Sequence, residues 1–233
     1  MNYDHAFHAG NFADVVKHII LTRLIVYLQR KPAPFRVIDT HAGSGRYAFD
    51  SRAAEKSPEW REGIARLLDA DLPDAAADLI APYLDVLRGL NPDGAFTSYP
   101  GSPLLAKSLM RHQDRLTAME LHPEAGANLR SLFAGDPQVK VLGVEGYQAL
   151  PAQMPPKERR ALVLVDPPFE EKGEFDRMVG ALKAAWRIFP QAVYALWYPL
   201  KDDPGLRRFK TDLFESGIPD IAFTEFRLRA PSE

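Results

Sequence analysis

The chain has 233 residues, 46% hydrophobic and 26% charged, enough to bury a sizeable core, which excludes a fibrous or disordered protein. Lacking cysteine, it can build neither disulfides nor a thiolate zinc site, and its formal net charge of −2 gives no overall basic field for a nucleic acid. No basic region followed by an apolar core opens the chain, and no apolar run reaches the roughly 18 residues of a membrane span, so a cytoplasmic protein with no membrane association is expected.

Residues 3–10 show no apolar periodicity but carry histidines and aromatics, a leader that can close over a bound ligand or fray as termini do. Asn11 suits the N-cap of a helix reaching about Arg30, with Asp14 in its first turn and Val15, Val16, Ile19, Ile20, Leu24, Tyr27 and Leu28 as its apolar stripe. His5, His8, Asp14 and His18 are the strongest candidate metal set, Asp14 and His18 being one helical turn apart. Histidines at a helix start more often make ordinary hydrogen bonds, so no metal is expected.

Residues 35–39 read as a short buried parallel strand. In the following Thr40-His41-Ala42-Gly43-Ser44-Gly45-Arg46-Tyr47, Gly43 and Gly45 let backbone N–H groups approach a nucleotide-like ligand before a helix begins. With Ala48 the run meets the loose dinucleotide fingerprint Gly-x-Gly-x-x-Ala, but the acid wanted about 20 residues later falls at Glu62, inside a helical pattern. The strand-end acid comes much later: Glu120 closes Leu116-Thr117-Ala118-Met119, and Pro123-Glu124 suits a helix start. Residues 50–100 are therefore read as an insertion in a single domain spanning 1–233. Its helical stretches, about 58–70 and 74–90, are divided by Asp71-Leu72-Pro73 and closed by Asn91-Pro92-Asp93-Gly94, forming a small helical subdomain.

Two further segments pass from strand to polar turn, Val139 to Tyr147 and the run Ala-Leu-Val-Leu-Val-Asp-Pro-Pro-Phe at 161–169. Glu145 and Asp166 should then share the carboxyl edge of the sheet with Gly43 and Glu120, the ligand crevice of an open α/β sheet. The Asp-Pro-Pro-Phe turn suits an exocyclic amine. Methylating such a nitrogen requires drawing its lone pair out of the ring, so acceptors are wanted on its N–H groups. Asp166 and the Pro167 carbonyl can supply them, the prolines hold the turn rigid, and Phe169 can stack on a base. Four turns converging on one edge make the pattern of an S-adenosylmethionine-dependent methyltransferase acting on an amino group. A DNA adenine or protein-amide methyltransferase is the nearer alternative and a nicotinamide-dependent oxidoreductase the remoter one. Trp197-Tyr198-Pro199 should wall the edge. Lys107-Arg111-Arg115, Lys157-Arg159-Arg160 and Arg207-Arg208-Lys210 are candidate phosphate contacts, each equally readable as a solvated helix face.

These pieces, together with Tyr3-Asp4-His5-Ala6-Phe7-His8-Ala9-Gly10-Asn11, Asp14-Val15-Val16-Lys17-His18, Tyr99-Pro100-Gly101-Ser102-Pro103, Glu120-Leu121-His122-Pro123 and Tyr194-Ala195-Leu196-Trp197-Tyr198-Pro199, resemble the bacterial RlmJ family of large-subunit ribosomal RNA adenine-N6 methyltransferases over essentially the whole chain. The resemblance implies an α/β, Rossmann-like class I methyltransferase fold with an N-terminal helix and a helical insertion. It also implies S-adenosyl-L-methionine as cofactor, S-adenosyl-L-homocysteine as product, and 23S ribosomal RNA as substrate, with no obligate protein partner. In its terms Asp166 is the catalytic proton acceptor, and His18, His41, Ser102, Glu120, Glu145 and Gly146 contact the cofactor beside Gly43 and Gly45. Tyr3 lies near the RNA. Glu145 stands where the family carries aspartate and Phe169 where it carries tyrosine, exchanges that keep a carboxylate acceptor and a stacking ring. The chain ends at Glu233, ahead of a further strand segment that the resemblance implies.

Overall fold

The computed structural model describes residues 8–49, 59–200 and 204–227. Helix α1, Phe12–Gln29, starts where Asn11 Oδ1 accepts from the Asp14 backbone N–H at 2.9 Å. A five-stranded sheet follows, built from β1 (Arg36–Asp39), β4 (Arg115–Met119), β5 (Val139–Leu142), β6 (Ala161–Val165) and β7 (Val193–Leu196), in the order β5-β4-β1-β6-β7. Every pairing is parallel, with Val37 opposite Leu116 on one side and Leu162 on the other. The topology reverses at β1, so the carboxyl ends of β1, β4 and β6 face a common crevice.

The alternation within β6 shows how the sheet is held. Leu162 and Leu164 join one buried cluster with Val37, Leu116 and α1's Leu21 and Ile25, while Ala161, Val163 and Val165 join a second with Ile38 and Met119. Each strand thus feeds two cores, which is why β6 reads as an unbroken apolar run. The second core is covered by α7 (Glu174–Ile188) and α8 (Pro204–Phe214). Among the described residues no helix is long and apolar enough to cross a membrane.

Three features differ from the sequence expectations. First, the glycine turn does not open into a helix. Chain 46–48 instead forms β2 (Arg46–Ala48), paired antiparallel with β3 (Ser98–Pro100), and the helix that should follow β1 is α4 (Ser102–Leu109). The excursion leaves at Gly45 and returns at Gly101, whose N–H donates to the Gly45 carbonyl at 2.9 Å; a Cβ on Gly101 would crowd the Gly45 backbone at 3.2 Å. Short strands with neither alternation nor length escape sequence patterning.

Second, the stretch expected as one helix over about 58–70 is a 3₁₀ turn at Glu59–Glu62 followed by the short helix α2 (Ile64–Leu68), while α3 (Asp74–Leu90) lies where it was expected; Ile64, Tyr83 and Leu87 join the same buried cluster as α1.

Third, the inward face of α1 overlaps the expected stripe only in part, at Val15 and Leu28 with Ile19 and Leu24 packed beside them. Its buried residues are Asp14, Val15, Lys17, His18, Leu21, Thr22, Ile25 and Leu28, whereas Ile20 and Tyr27 are exposed. Apolar residues surround this helix, so they define no face. Polar residues on the inward side mark the part that meets the site.

Candidate active site

A cavity of about 910 Å³ opens at the carboxyl edge of the sheet. It brings together His18, His41, Gly43, Ser102, Glu120, Glu145, Gly146, Asp166, Pro167 and Phe169, residues from α1 and from the turns after β1, β3, β4, β5 and β6. Gly45 lies behind the wall in its positive-φ turn, where a Cβ would strike Leu129 and Leu132 of α5 (Pro123–Leu132) at 2.8 Å. Trp197 and Pro199 complete one side. Tyr3 and His5 fall outside the described residues. His8, Asn11, Asp14 and Lys17 line the remaining side, where α1 begins.

Glu120 organises the glycine turn. One carboxylate oxygen accepts the Gly43 N–H at 2.7 Å, and the other accepts the His122 N–H at the same distance. The amide that would meet a pyrophosphate in a dinucleotide site is therefore already bonded to an acid. Carboxylates also outnumber cationic side chains around the cavity, an environment suited to a positively charged ligand. Glu145 caps the short helix α6 (Gly146–Ala149) by accepting the Gln148 N–H at 2.7 Å. Gly146 passes close to β1's end, where a Cβ would stand 2.2 Å from the Thr40 carbonyl oxygen.

His41 is half-buried and neutral, its pKa lowered to about 4 chiefly by desolvation. Thr40 Oγ1 donates its single proton to the Leu164 carbonyl at 3.0 Å, so His41 Nδ1, 2.8 Å from the same hydroxyl, must be the donor. Nε2 is left with a lone pair able to accept from an ammonium. His18 Nδ1 lies 3.0 Å from the Tyr99 hydroxyl, which meets the Tyr83 hydroxyl at 3.0 Å, tying the expected cofactor contact to α3 of the insertion.

Ser102 donates to the buried Asp39 carboxylate at 2.6 Å. Burial, with a further push from Asp166, raises the Asp39 pKa to about 7 against the lowering bonds from Ser102 and His41. The folded state therefore holds a proton that an unfolded aspartate releases near pH 3.9. Stability from this group falls as pH rises from about 4 to about 7 and stays low above. Asp39→Asn, which keeps an acceptor for Ser102, should flatten that fall; denaturant midpoints measured across this range check it, and a parent-like slope in the variant would refute it.

The residue that sequence reading missed is Lys17. Its ammonium is bonded to Asp166 and also lies 2.8 Å from Asp14, with side-chain exposures of only 8% for Lys17 and 3% for Asp14. Burial alone would lower the lysine pKa, but the two carboxylates outweigh it and keep the group charged. Its one advance signal was Asp14-x-x-Lys17-His18 on one helical face.

The sequence-expected basic patches sit elsewhere. Arg111 donates to the Lys31 and Ala33 carbonyls and pairs with Asp114, and Arg160 donates to the Leu28 and Ala33 carbonyls, clamping the end of α1 at the sheet's amino edge. Lys107 pairs with Asp136 at 3.1 Å. On α8, Arg208 is near Asp212 and Lys210 is bonded to Glu225. Among the described residues no group of three or more histidine, aspartate or glutamate side chains is placed to hold a metal ion.

The family model for ribosomal RNA large subunit methyltransferase D, RlmJ, matches residues 32–233. The chain is 41% identical over 233 residues to ribosomal RNA large subunit methyltransferase J of Escherichia coli K12, covering 100% of this chain and 82% of the relative. It is 42% identical over 235 residues to the protein of that name in Haemophilus influenzae, with the same shares covered. A crystal structure from Legionella pneumophila, 36% identical, superposes with a TM-score of 0.82 over 90% of this chain and 76% of that one.

Proposed function

We infer the reaction from the premise that this chain belongs to the RlmJ family of ribosomal RNA large subunit methyltransferases. It is an enzyme that transfers methyl groups. The proposed reaction is transfer from S-adenosylmethionine to N6 of an adenine in 23S ribosomal RNA, by one domain of which 50–100 is a helical elaboration. The observation that carries this reading is Asp166, followed by two prolines, opening into the same cavity as Glu120 and the Gly43 turn.

S-adenosylmethionine, when bound, supplies an electrophilic methyl on a sulfonium. Glu120 and Glu145 would hold its ribose and adenine ends, His41 Nε2 would accept from its ammonium, and His18 and Ser102 would flank it. The target adenine must leave its RNA stack, a cost of a few kcal/mol that is smallest for an unpaired base. Phe169 and Tyr3 are assigned to the base. Asp166 and the Pro167 carbonyl accept from the two N6 hydrogens, orienting the nitrogen and opposing the positive charge that develops on it. The proton leaves N6 through Asp166. Lys17 keeps that carboxylate in place.

The discriminating experiment follows tritiated methyl transfer into RNA, DNA and protein fractions. Label confined to large-subunit RNA, and to N6-methyladenosine on digestion, is expected; label in DNA or protein would overturn the substrate. Glu120→Ala should weaken S-adenosylmethionine binding by about 1.5 to 3 kcal/mol, the range for bonds to a charged acceptor. Calorimetry giving parental affinity for the folded variant would remove Glu120 from the cofactor site.

A further inference from the structure

We propose that Asp14 is a positioning residue for methyl transfer, holding the Lys17 ammonium between two carboxylates so that Asp166 faces the reacting amine from a cluster of net negative charge. The proposal rests on the reading of Asp166 given above. It starts from a difficulty in that reading: an aspartate bonded to a buried lysine presents a neutral pair to its substrate, a poor partner for a nitrogen becoming cationic. Asp14 resolves the difficulty. With it, the cluster comprises two carboxylates and one ammonium, and its field at the cavity is that of a single negative charge, little screened where Lys17 and Asp14 are buried beneath the partly exposed Asp166.

The geometry of Asp14 is fixed at every atom that matters. One oxygen lies 2.8 Å from Lys17 Nζ, the other accepts the Gly10 N–H at 3.1 Å, and its own N–H is capped by Asn11. Gly10 is in turn fastened to the insertion, its carbonyl accepting the Ile64 N–H at 2.9 Å. An aspartate serving only the helix dipole would stand in solvent, as first-turn acids ordinarily do. Asp14 is 2% exposed and lines the cavity.

Besides Asp14 on α1, Lys17 faces Asp166 after β6 and senses Asp39 at the end of β1 and Tyr83 on α3. Tyr99 on β3 responds to Asp14. Removing the Asp14 charge leaves Lys17 with fewer carboxylates to oppose the desolvation that favours its neutral form. Asp14 therefore sets both the charge of the cluster and the pH at which Lys17 lets go of its proton.

The test is single-turnover methyl transfer to large-subunit RNA by the full chain, from about pH 6 to about pH 9.5. Asp14→Asn should lower the rate at saturating cofactor and RNA about tenfold, leave cofactor affinity within about twofold, and introduce an alkaline decline missing from the parent. Asp14→Glu should recover most of the rate and abolish the decline. If Asp14→Asn does not fold, Asp14→Ser, whose hydroxyl can still accept from Gly10, is measured in its place. A parental rate and pH profile in the charge-free variant, with Asp166→Ala inactive, would overturn the role of Asp14 and leave the Asp166 reading standing. An alkaline decline in the parent itself over this range would also overturn it. Near-normal turnover in Asp166→Ala would bring down both.

Discussion

Asp166→Ala should cut single-turnover methyl transfer about a hundred-fold or more, equivalent to roughly 2.7 kcal/mol of barrier, while cofactor affinity stays within a few-fold of the parent. The separation follows from where the residue sits. Asp166 is the first residue after β6, bonded to Lys17 and next to the rigid pair Pro167-Pro168, whereas Glu120, the acid proposed for the ribose, is two strands away at the end of β4. Asp166→Asn is the sharper probe, because an amide keeps the shape and one acceptor oxygen but removes the charge opposing the cationic nitrogen. It also turns an N–H group or a neutral oxygen toward Lys17, so an intermediate rate is expected. Near-normal turnover in folded Asp166→Ala would mean that the aspartate only shapes the turn.

What the sequence made legible was the sheet and its edge. Central parallel strands buried on both faces read as near-continuous apolar runs, and β1, β4 and β6 lie within a residue or two of where those runs predict them. The polar residue ending each run marks the crevice, so Gly43, Glu120, Glu145 and Asp166 could be placed together from one sequence. Contacts with no local pattern could not. Lys17 and Asp166 are 149 positions apart, and nothing in either neighbourhood names the other. Ser102, expected at the cofactor, lines the cavity and gives its proton to Asp39, a pairing visible only once α4 is seen to start beside β1. Phe169 was read as a stacking ring. Its backbone is in the left-handed region at φ 54°, and its ring packs on Phe175 at 5.1 Å, so it lines the cavity as part of a chain of aromatic contacts. Such a conformation at a bulky residue is held by its surroundings, here the turn proposed to receive the base.

Lys17→Met should destabilise the fold by about 3 to 5 kcal/mol and abolish turnover, because it strands the buried Asp14 and the largely covered Asp166, which share one ammonium as counter-charge. Methionine matches the length of the lysine stem, so the loss reports charge more than volume. The pH dependence identifies the cause. Lys17 has a raised folded pKa, so its contribution is fully present below the unfolded lysine value of about 10.4 and disappears only as pH climbs through the higher folded value. Between neutral pH and about pH 10 the stability gap between parent and variant should therefore be flat. Toward acid it should narrow, since Asp14 and Asp166, no longer bridged, repel each other until one of them takes a proton. Lys17→Arg keeps the charge on a longer, planar group that cannot sit between the two carboxylates as a point charge does, and it should recover stability better than activity. Urea titrations of the three proteins at several pH values give the comparison. A Lys17→Met protein as stable as its parent, with a gap that ignores acid, would mean that the ammonium does not bridge these carboxylates in solution.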